Sequence, residues 1–446
     1  MMKRKNKSEN LYWVWLAENL GAGNRYVTRL MDFFGSAYNV YNATEEELVR
    51  SGCVNEGAAS KLADKSLKKA YAIIDYCAIN NIGILSFVDE NYPERLRMLQ
   101  DPPAVLYYKG TLPRFDSRLC ISMVGTRKIS EYGKRAAYKI AYELASAGAI
   151  VVSGMALGVD SVAACGALVA DGKTIVVLGC GIDVIYPSQH AKLQRTIEER
   201  GLVITEYSPG TKPFGANFPV RNRIISGLSQ GTLVVEADEK SGAMITAKCA
   251  LMQGRGVFAL PGNIDESNSM GTNALIRDGA TVATCAEDIL VNYELLYGKS
   301  LNYSALAFAK DTFDESLCDR ALDKLGIAAR PYKKTNDEVK DTSHQLRPTR
   351  KPPSAPEKSR PTTNPPIVKK LKAIVEGKKT DNTEKILAEL SENIRNVFLD
   401  FPLDHAISMD DLCRMGHSIS AVMSAITVLE MKGLISTLPG NLYIRR

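Results

Sequence analysis

The sequence predicts an α/β protein whose central part is a doubly wound, mostly parallel sheet. Between residues 119 and 290, apolar runs such as CISMV, IVVS and TIVVLG alternate with segments of helical periodicity. Strands that are covered on both faces show such runs without polar alternation. Glycines and hydroxyl residues follow most of the runs, which is where strands of a parallel sheet turn into helices. These observations define the fold class as α/β with a Rossmann-like sheet.

Residues 1–75, which precede the sheet, are predicted to form a separate helical domain. Three helices are indicated by LYWVWLAENL, NRYVTRLMDFFG and TEEELVRSG, with Thr44 as the N-cap of the third. The Gly-rich turn and the amphipathic helix after it resemble helix-hairpin-helix or SAM-like modules. Such modules often contact DNA backbones through helix N-termini. A small helical domain that serves packing or contacts protein fits the same pattern equally well.

Residues 80–298 are assigned to the sheet and to a lead-in segment before it. The predicted strands are residues 119–124, 149–153, 174–179, 202–206, 232–237, 257–262 and 281–284. The predicted helices between them are residues 133–148, 161–172, 188–201, 221–229, 243–254 and 271–279. This regular alternation is typical of a doubly wound domain.

Residues 299–380 are predicted to form a basic, Pro-rich and largely disordered linker. The part from 330 to 380 contains 14 Lys and Arg against 5 Asp and Glu, a net charge of +9. The formal charge of the whole chain is +6, so the rest carries −3. The segment QLRPTRKPPSAPEKSRPTTNPP has no aromatic residue and too few apolar ones to build a core. A spacer is the favoured role, and its charge would also attract a polyanion.

Residues 381–446 are predicted to form a winged helix. Helices in TEKILAELSENIRNVFLDF, SMDDLCRMG and SISAVMSAITVLEMKG are followed by a hairpin around Pro439 and Gly440. A helix that reads bases in a major groove presents polar donors near its start. The polar residues near the start of the third helix are His417, Ser418, Ser420 and Ser424. No arginine accompanies them, so a protein-contact role is slightly favoured over base reading.

Composition places the chain among soluble cytoplasmic proteins. Hydrophobic residues make up 45% and charged residues 24% of the 446 residues. No apolar stretch approaches the roughly 18 residues of a membrane span, and the basic N-terminus lacks the features of a signal peptide. Nine cysteines occur without a C-x-x-C pair, and there are four histidines. We expect buried free thiols in a reducing compartment, and neither a metal nor a cofactor.

Candidate ligand residues follow the predicted strands, at the edge where a parallel sheet binds its ligands. Glycines let the backbone approach a ligand closely, while hydroxyls, cations and helix N-termini suit phosphate oxygens. Each residue alone is weak evidence, but repetition at successive strand ends favours an anion or nucleotide site over coincidence. The candidates are Gly125, Arg127, Ser130, Gly133, Ser153, Gly154, Gly158, Gly179, Gly181, Phe218, Arg221, Asn222, Arg223, Ser241, Gly242, Thr246, Lys248 and Arg255.

Several phosphate sites along one edge suit a nucleic-acid strand better than one compact cofactor. The chain lacks a P-loop, and Val184 stands where a dinucleotide fingerprint beginning at Gly179 requires its third glycine. Phe218 lies beside Arg221 and Arg223, so its ring would stack on a base while the guanidinium groups hold phosphates. Packing in the core is an equally good explanation of Phe218.

Six segments, in order, resemble the successive signatures of the DprA/Smf family of DNA-processing proteins. They are GTRKISEYG, SGMALGVDSVAA, GCGIDVIYP, FPVRNRIISGLS, SGAMITAKCALMQGR and LPGN with GTNALIRDGA. NYPERLRMLQDPPAVLYYKG resembles the family's lead-in, so the likeness is strong over residues 80–290 and weak in the flanking domains. The long basic linker departs from many members, which join the two domains more tightly.

This resemblance implies a protein that binds single-stranded DNA on a Rossmann-like homodimer. It also implies protection of incoming DNA and the loading of a RecA-type recombinase in natural transformation, with a single-strand-binding protein as a compatible further partner. The family's basic pocket carries over onto Arg127, Arg221, Arg223 and Lys248.

A nucleotide-binding or nucleotide-hydrolysing enzyme is the alternative. Asp160, Asp183, Glu206 and Glu236 lie near strand ends. Related nucleotide-cleaving families carry PGGxGT with a nearby glutamate, whereas this chain has SGAMIT and LPGN. His190 is interpreted as a surface residue, so no acid and base are paired and a non-enzymatic binding protein is favoured. A sequence-specific regulator that acts through the winged helix ranks third.

Overall fold

The computed structural model describes residues 2–314, 316–327, 392–402 and, with gaps, 407–445. The chain divides into two compact units, Met1–Lys340 and Asp341–Arg446, and each is described by itself. Within the described residues, no helix combines the length and the apolar character that crossing a membrane requires.

The first unit begins with six helices. They are α1 (Met2–Leu20), α2 (Val27–Phe34), α3 (Ala37–Asn42), α4 (Glu45–Arg50), α5 (Glu56–Ala63) and α6 (Lys68–Ile79). The first predicted helix is the second half of α1, and the other two predicted segments contain α2 and α4. Thr44 caps α4 as predicted, because the Glu47 N–H donates to Thr44 Oγ1 at 3.2 Å and the Thr44 N–H donates to Glu47 Oε2 at 2.8 Å. These helices pack into the same apolar core as the sheet, through buried residues such as Trp13 and Leu30.

A nine-stranded sheet follows and confirms the predicted fold class. Its strands are β1 (Gly83–Ser86), β2 (Val105–Gly110), β3 (Cys120–Val124), β4 (Ile150–Ser153), β5 (Thr174–Val177), β6 (Leu202–Thr205), β7 (Gly231–Val234), β8 (Gly256–Ala259) and β9 (Thr281–Val282). The order across the sheet is β1-β2-β6-β5-β4-β3-β7-β8-β9. From β6 to β9 all neighbours are parallel, while β2 pairs antiparallel with β1 and β6. Strands β3 to β7 are fully buried, which explains their uninterrupted apolar runs.

The connecting helices place a topological switch point beside β3. They are α7 (Glu94–Arg97), α8 (Glu131–Ser146), α9 (Val159–Val169), α10 (Ala191–Arg200), α11 (Asn217–Gly227), α12 (Gly242–Met252), α13 (Ser267–Arg277), α14 (Ala286–Leu290) and α15 (Glu294–Tyr297). The chain runs outward from β3 through β4 and β5 to β6, then returns over α11 to β7 on the other side of β3. A crevice therefore opens at the carboxyl ends of β3 and β7.

The predicted linker begins too early in the sequence. Two helices, α16 (Tyr303–Asp311) and α17 (Ser316–Leu325), lie within the predicted segment 299–380. They pack against α8 and α9 and bury Leu306 and Leu322. The Pro-rich composition that identified the linker lies further along the chain, so it did not determine where the linker starts. The rest of that segment, residues 328–380, lies outside the described residues.

The second unit has the strands expected of a winged helix. Helix α18 (Glu392–Leu399) precedes a three-stranded antiparallel sheet of β10 (Ile407–Ser408), β12 (Leu442–Arg445) and β11 (Ile435–Leu438), in that order. Phe398, Val422 and Leu429 are buried in its core. The His417 imidazole lies 2.6 Å from Asp400 Oδ2, while Ser418, Ser420, Ser424, Pro439 and Gly440 lie outside the described residues.

Candidate nucleic-acid interface

A groove of about 520 Å³ lies at the switch point of the sheet. The loops after β3, β4 and β5, helix α11 and the start of α12 enclose it. Eight predicted residues line it, namely Gly125, Arg127, Phe218, Arg221, Asn222, Ser241, Gly242 and Thr246. The structure therefore brings together nearly half of the residues that the sequence singled out.

Two arginines lie close to the Phe218 ring in this groove. The Arg127 Cζ atom lies 5.6 Å from the Phe218 ring centroid and the Arg221 Cζ atom 5.8 Å from it. The ring of Tyr186 is tilted by 37° against that of Phe218, with 5.4 Å between the centroids. Phe218 lines the groove and is only partly buried, so part of its ring faces the groove. Tyr186 lines the groove too, although it is not among the candidates predicted from the sequence.

Arg221 reaches the groove from a buried position. The residue is 3% exposed. Its Nη1 donates to the Gly154 carbonyl oxygen at 2.8 Å and also to the Val177 carbonyl oxygen. Its Nε has no hydrogen-bond partner among the described residues. Burial lowers the pKa of Arg221, and the charge of nearby Asp160 opposes that shift. An arginine bound mainly to carbonyl oxygens keeps its positive charge available for an anion.

The start of α12 forms another wall of the groove. Ser241 occupies the N-cap position with an extended backbone, yet makes no capping bond with its side chain. Its Oγ is buried and has no hydrogen-bond partner among the described residues. The Nδ2 of Asn222 donates to the Gly242 carbonyl at 3.4 Å and so links α11 to this turn. An uncapped helix start of this kind favours an anion through its N–H groups and its dipole.

Asp160 is the one carboxylate among the described residues that line the groove. Its Oδ2 accepts hydrogen bonds from the backbone N–H groups of Gly154 at 3.1 Å and Ala156 at 3.3 Å. Burial raises its pKa, while the charge of Arg221 and these two hydrogen bonds oppose the rise. Asp160 therefore holds the loop after β4 in place beside Arg221.

Five predicted glycines and hydroxyls around β4 and β5 support the groove from behind. Ser153 donates to the Met123 carbonyl at 2.8 Å. As packed, three of the glycines leave no room for a side chain. A Cβ atom added to Gly154 would lie 2.1 Å from Arg221 Nη1, one added to Gly158 would lie 2.2 Å from the Thr126 carbonyl oxygen, and one added to Gly179 would lie 2.8 Å from the Phe218 ring. Gly181 is buried as well. Close packing explains these residues without any contact to a ligand.

Ser130 and Gly133 lie around a carboxylate instead of in the groove. Glu236 accepts hydrogen bonds from the Ser130 backbone N–H at 2.9 Å and from the Ser130 hydroxyl. A Cβ atom at Gly133 would lie 2.4 Å from Glu236 Cδ. Burial raises the pKa of Glu236, and its hydrogen bonds with Ser130 and Asn268 oppose the rise. The N-terminus of α8, expected to receive a phosphate, thus already holds an acid.

Arg223 points away from the groove, contrary to expectation. Its Nη2 donates to both carboxylate oxygens of Glu206 at 2.7 Å, and its Nε lies 3.5 Å from Asp101 Oδ2. Both side chains of the Glu206 pair are almost fully buried. Burial raises the pKa of Glu206, and the positive charge of Arg223 opposes this rise.

Lys248 and Arg255 also lie outside the groove lining. Lys248 is exposed on α12, beyond the turn that lines the groove. Arg255 follows the opposite end of that helix, where its Nη2 donates to the Arg95 carbonyl at 3.1 Å. Of the four residues predicted for a basic pocket, Arg127 and Arg221 line the groove, and Arg223 and Lys248 do not.

His190 is buried, which corrects its interpretation as a surface residue. Its Nδ1 lies 3.0 Å from the Met155 carbonyl oxygen. Burial lowers its pKa, and the hydrogen bond opposes that change. It does not line the groove, so it does not form an acid–base pair with Asp160 there.

Comparison with known proteins identifies related sequences and structures. The chain matches the family model for DNA recombination-mediator protein A over residues 83–294 and the model for the DprA winged helix domain over residues 403–441. Protein Smf of Synechocystis sp. is 38% identical over 293 residues, which cover 64% of this chain and 73% of that protein. DNA processing protein DprA of Streptococcus pneumoniae is 41% identical over 211 residues, which cover 47% of this chain and 73% of that protein. The X-ray structure of that S. pneumoniae protein matches with a TM-score of 0.55 and 33% identity, covering 63% of this chain and 97% of the other.

Proposed function

Because the chain belongs to the DprA/Smf family of DNA-processing proteins, we propose that its groove binds single-stranded DNA. The observation that carries this proposal is the pair of guanidinium groups close to Phe218, whose Cζ atoms lie 5.6 and 5.8 Å from its ring centroid. An aromatic ring with cations close to it matches the two parts of a nucleotide, a flat base and a charged phosphate.

The groove offers separate places for these two parts. The exposed Arg127 side chain, the positive charge of the largely buried Arg221 and the uncapped start of α12 attract phosphate oxygens. The rings of Phe218 and Tyr186 offer a face on which any base can stack. Such binding tolerates many sequences and weakens steeply as salt rises.

The finer functional steps rest on the family resemblance. We propose that the bound strand is protected and passed to a RecA-type recombinase in natural transformation or recombination. A single-strand-binding protein is a further proposed partner, and the working form is a cytoplasmic homodimer. The protein acts by binding, without a chemical step.

The proposed function is tested by titrating the full chain with a labelled single strand and with the matching duplex over a salt series. ATP and NAD are added as competitors, since the groove volume of about 520 Å³ also fits a nucleotide. We expect preference for the single strand and no displacement by either nucleotide. Displacement by ATP or NAD would favour the alternative of a nucleotide-binding or nucleotide-hydrolysing enzyme, and equal affinity for the duplex would contradict the proposal.

A further inference from the structure

The turn between α1 and α2 docks on the helix that carries the groove residues. Gly23, in that turn, has a φ of +73°, and a Cβ atom there would lie 2.7 Å from Val220 Cγ1 on α11. Its N–H donates to Glu206 Oε1 at 3.3 Å. The Gly-rich turn of the helical domain therefore contacts the sheet domain of the same chain.

Glu206 joins this turn to α11. Besides the Gly23 N–H, it accepts the bidentate hydrogen bonds of Arg223 at 2.7 Å. Arg223 also faces Asp101 of the lead-in segment at 3.5 Å. The side chains of Arg223 and Glu206 are 7% and 5% exposed, so neither charge has water as a substitute partner.

A second contact connects the same helices to the loop after β5. Tyr76, near the end of α6, donates its hydroxyl to Asp183 Oδ2 at 3.1 Å. Asp183 also accepts the Gly210 N–H at 2.8 Å. This loop continues to Tyr186, whose ring contacts Phe218.

We propose that helices α1–α6 position the DNA groove, with Gly23, Glu206 and Arg223 as positioning residues that do not touch the strand. This inference rests on the proposed function of the groove. Helix α11 carries Phe218 and Arg221 on its groove side and Val220 and Arg223 in the contact with the helical domain. A shift of α11 against the helical domain therefore moves the Phe218 ring and the Arg221 guanidinium group together.

Two glycines of the same turn give a matched test. Gly21 and Gly23 have φ values of +76° and +73°, so alanine meets similar backbone strain at both. A Cβ atom at Gly21 has nothing within 4 Å, whereas one at Gly23 meets α11. We expect Gly23→Ala to weaken single-strand binding about tenfold, within the range of coupling between residues in contact, and Gly21→Ala to leave it unchanged. Equal affinities for the two variants would overturn the inference.

For Glu206→Gln, an electrostatic role and a positioning role of Glu206 predict opposite changes in DNA affinity. If only the electrostatic potential mattered, removing an acid near the groove would strengthen DNA binding. If Glu206 positions α11 through Arg223, the same change weakens binding, because the buried guanidinium loses its charged partner. Tighter binding by Glu206→Gln would contradict the positioning role.

Salt dependence separates positioning by Arg223 from direct contact. A lost phosphate contact lowers the slope of log affinity against log salt by about 0.7 for a single strand. We expect Arg223→Met to bind the single strand more weakly with an unchanged salt slope. The double variant Glu206→Gln/Arg223→Met should recover part of the lost affinity, because it leaves no unpaired buried charge. A reduced slope would show that Arg223 touches phosphate and would overturn its assignment.

Measurements on the wild type and on folding make the outcomes distinct. If the wild-type chain does not bind a single strand, the proposed function itself fails. If it binds and Gly23→Ala behaves as Gly21→Ala, only the positioning inference fails. Thermal unfolding by circular dichroism is recorded for each variant, and if Arg223→Met does not fold, the two glycine variants decide.

Discussion

The guanidinium carbon of Arg221 lies 5.8 Å from the centre of the Phe218 ring, one helical turn away on α11. The two side chains share the groove, so one side of the helix presents a charge and an aromatic face together. This relationship leads to separate expectations for the ring, for the charge and for the packing that holds both.

Removing the Phe218 ring should weaken single-strand binding. We expect Phe218→Ala to lose about 1–3 kcal/mol of binding free energy, the contribution of one stacked base. Fluorescence anisotropy with a labelled oligonucleotide measures the change. Phe214→Ala is the matched control, because Phe214 precedes the same helix, is 61% exposed and does not line the groove. Equal losses in both variants would contradict stacking on Phe218.

Removing the Arg127 charge should weaken binding to all sequences alike. We expect Arg127→Ala to lower the salt slope by about 0.7, since one phosphate contact is lost. Arg195→Ala removes the same charge from an exposed position on α10 that does not line the groove. Titrations at several salt concentrations compare the two slopes. If Arg127→Ala and Arg221→Ala both keep full affinity, the groove is not the DNA site.

Adding one methyl group at Gly154 should displace the Arg221 guanidinium without removing its charge. The new Cβ would lie 2.1 Å from Arg221 Nη1, and the long side chain can move away. We expect Gly154→Ala to bind DNA nearly as weakly as Arg221→Ala while remaining folded. Gly57→Ala is the control, because its Cβ would meet nothing closer than 3.9 Å. Wild-type affinity in Gly154→Ala would show that the position of this guanidinium is unimportant.

Glu236 should make stability depend on pH. Burial raises its folded-state pKa above the ordinary value of 4.5. A raised acid pKa means that the folded chain holds the proton more tightly, so this contribution is present below pH 4.5 and is lost as pH rises through the folded pKa. Glutamine does not titrate, so we expect Glu236→Gln to become more stable relative to wild type as pH rises from 4.5 through the folded-state pKa of Glu236. Urea unfolding at pH 4 and pH 7 measures the difference, and a constant difference would contradict it.

The helices that replace the start of the predicted linker should contribute to stability. Leu322 on α17 is 3% exposed, so Leu322→Ala should lower the free energy of unfolding by about 2–5 kcal/mol. Leu317→Ala on the same helix is the control, because Leu317 is 41% exposed and loses few contacts. Urea unfolding compares the two variants. Equal effects would mean that α17 is not held against the sheet domain.

The fold could be predicted because strands that are buried on both faces leave a simple trace in the sequence. The face of a helix that each arginine occupies was harder to assign. Arg221 and Arg223 are two residues apart, and residues at that spacing on a helix do not share a face. One of them therefore had to leave the groove, but only the position of Glu206 shows which one.

Two further differences have physical causes that the motifs do not contain. His190 is buried because its ring nitrogen meets the Met155 carbonyl, a residue distant in sequence. Arg255 follows a helix whose first turn lines the groove, but it lies at the other end of that helix. Proximity along the chain therefore gave no information about these two positions.

The two helix starts beside β3 are not equivalent towards an incoming anion. At α8, Glu236 accepts hydrogen bonds from the N–H and hydroxyl of the N-cap residue Ser130, and the Ser130 hydroxyl oxygen in turn accepts the Gly133 N–H. The ionised Glu236 carboxylate repels a second negative charge at this helix start. At α12, the uncapped turn at Ser241 has no such occupant among the described residues. If the groove binds DNA as proposed, we expect the polyanion to lie on the α12 flank of this edge and to avoid the α8 flank, where the protein's own acid already stands.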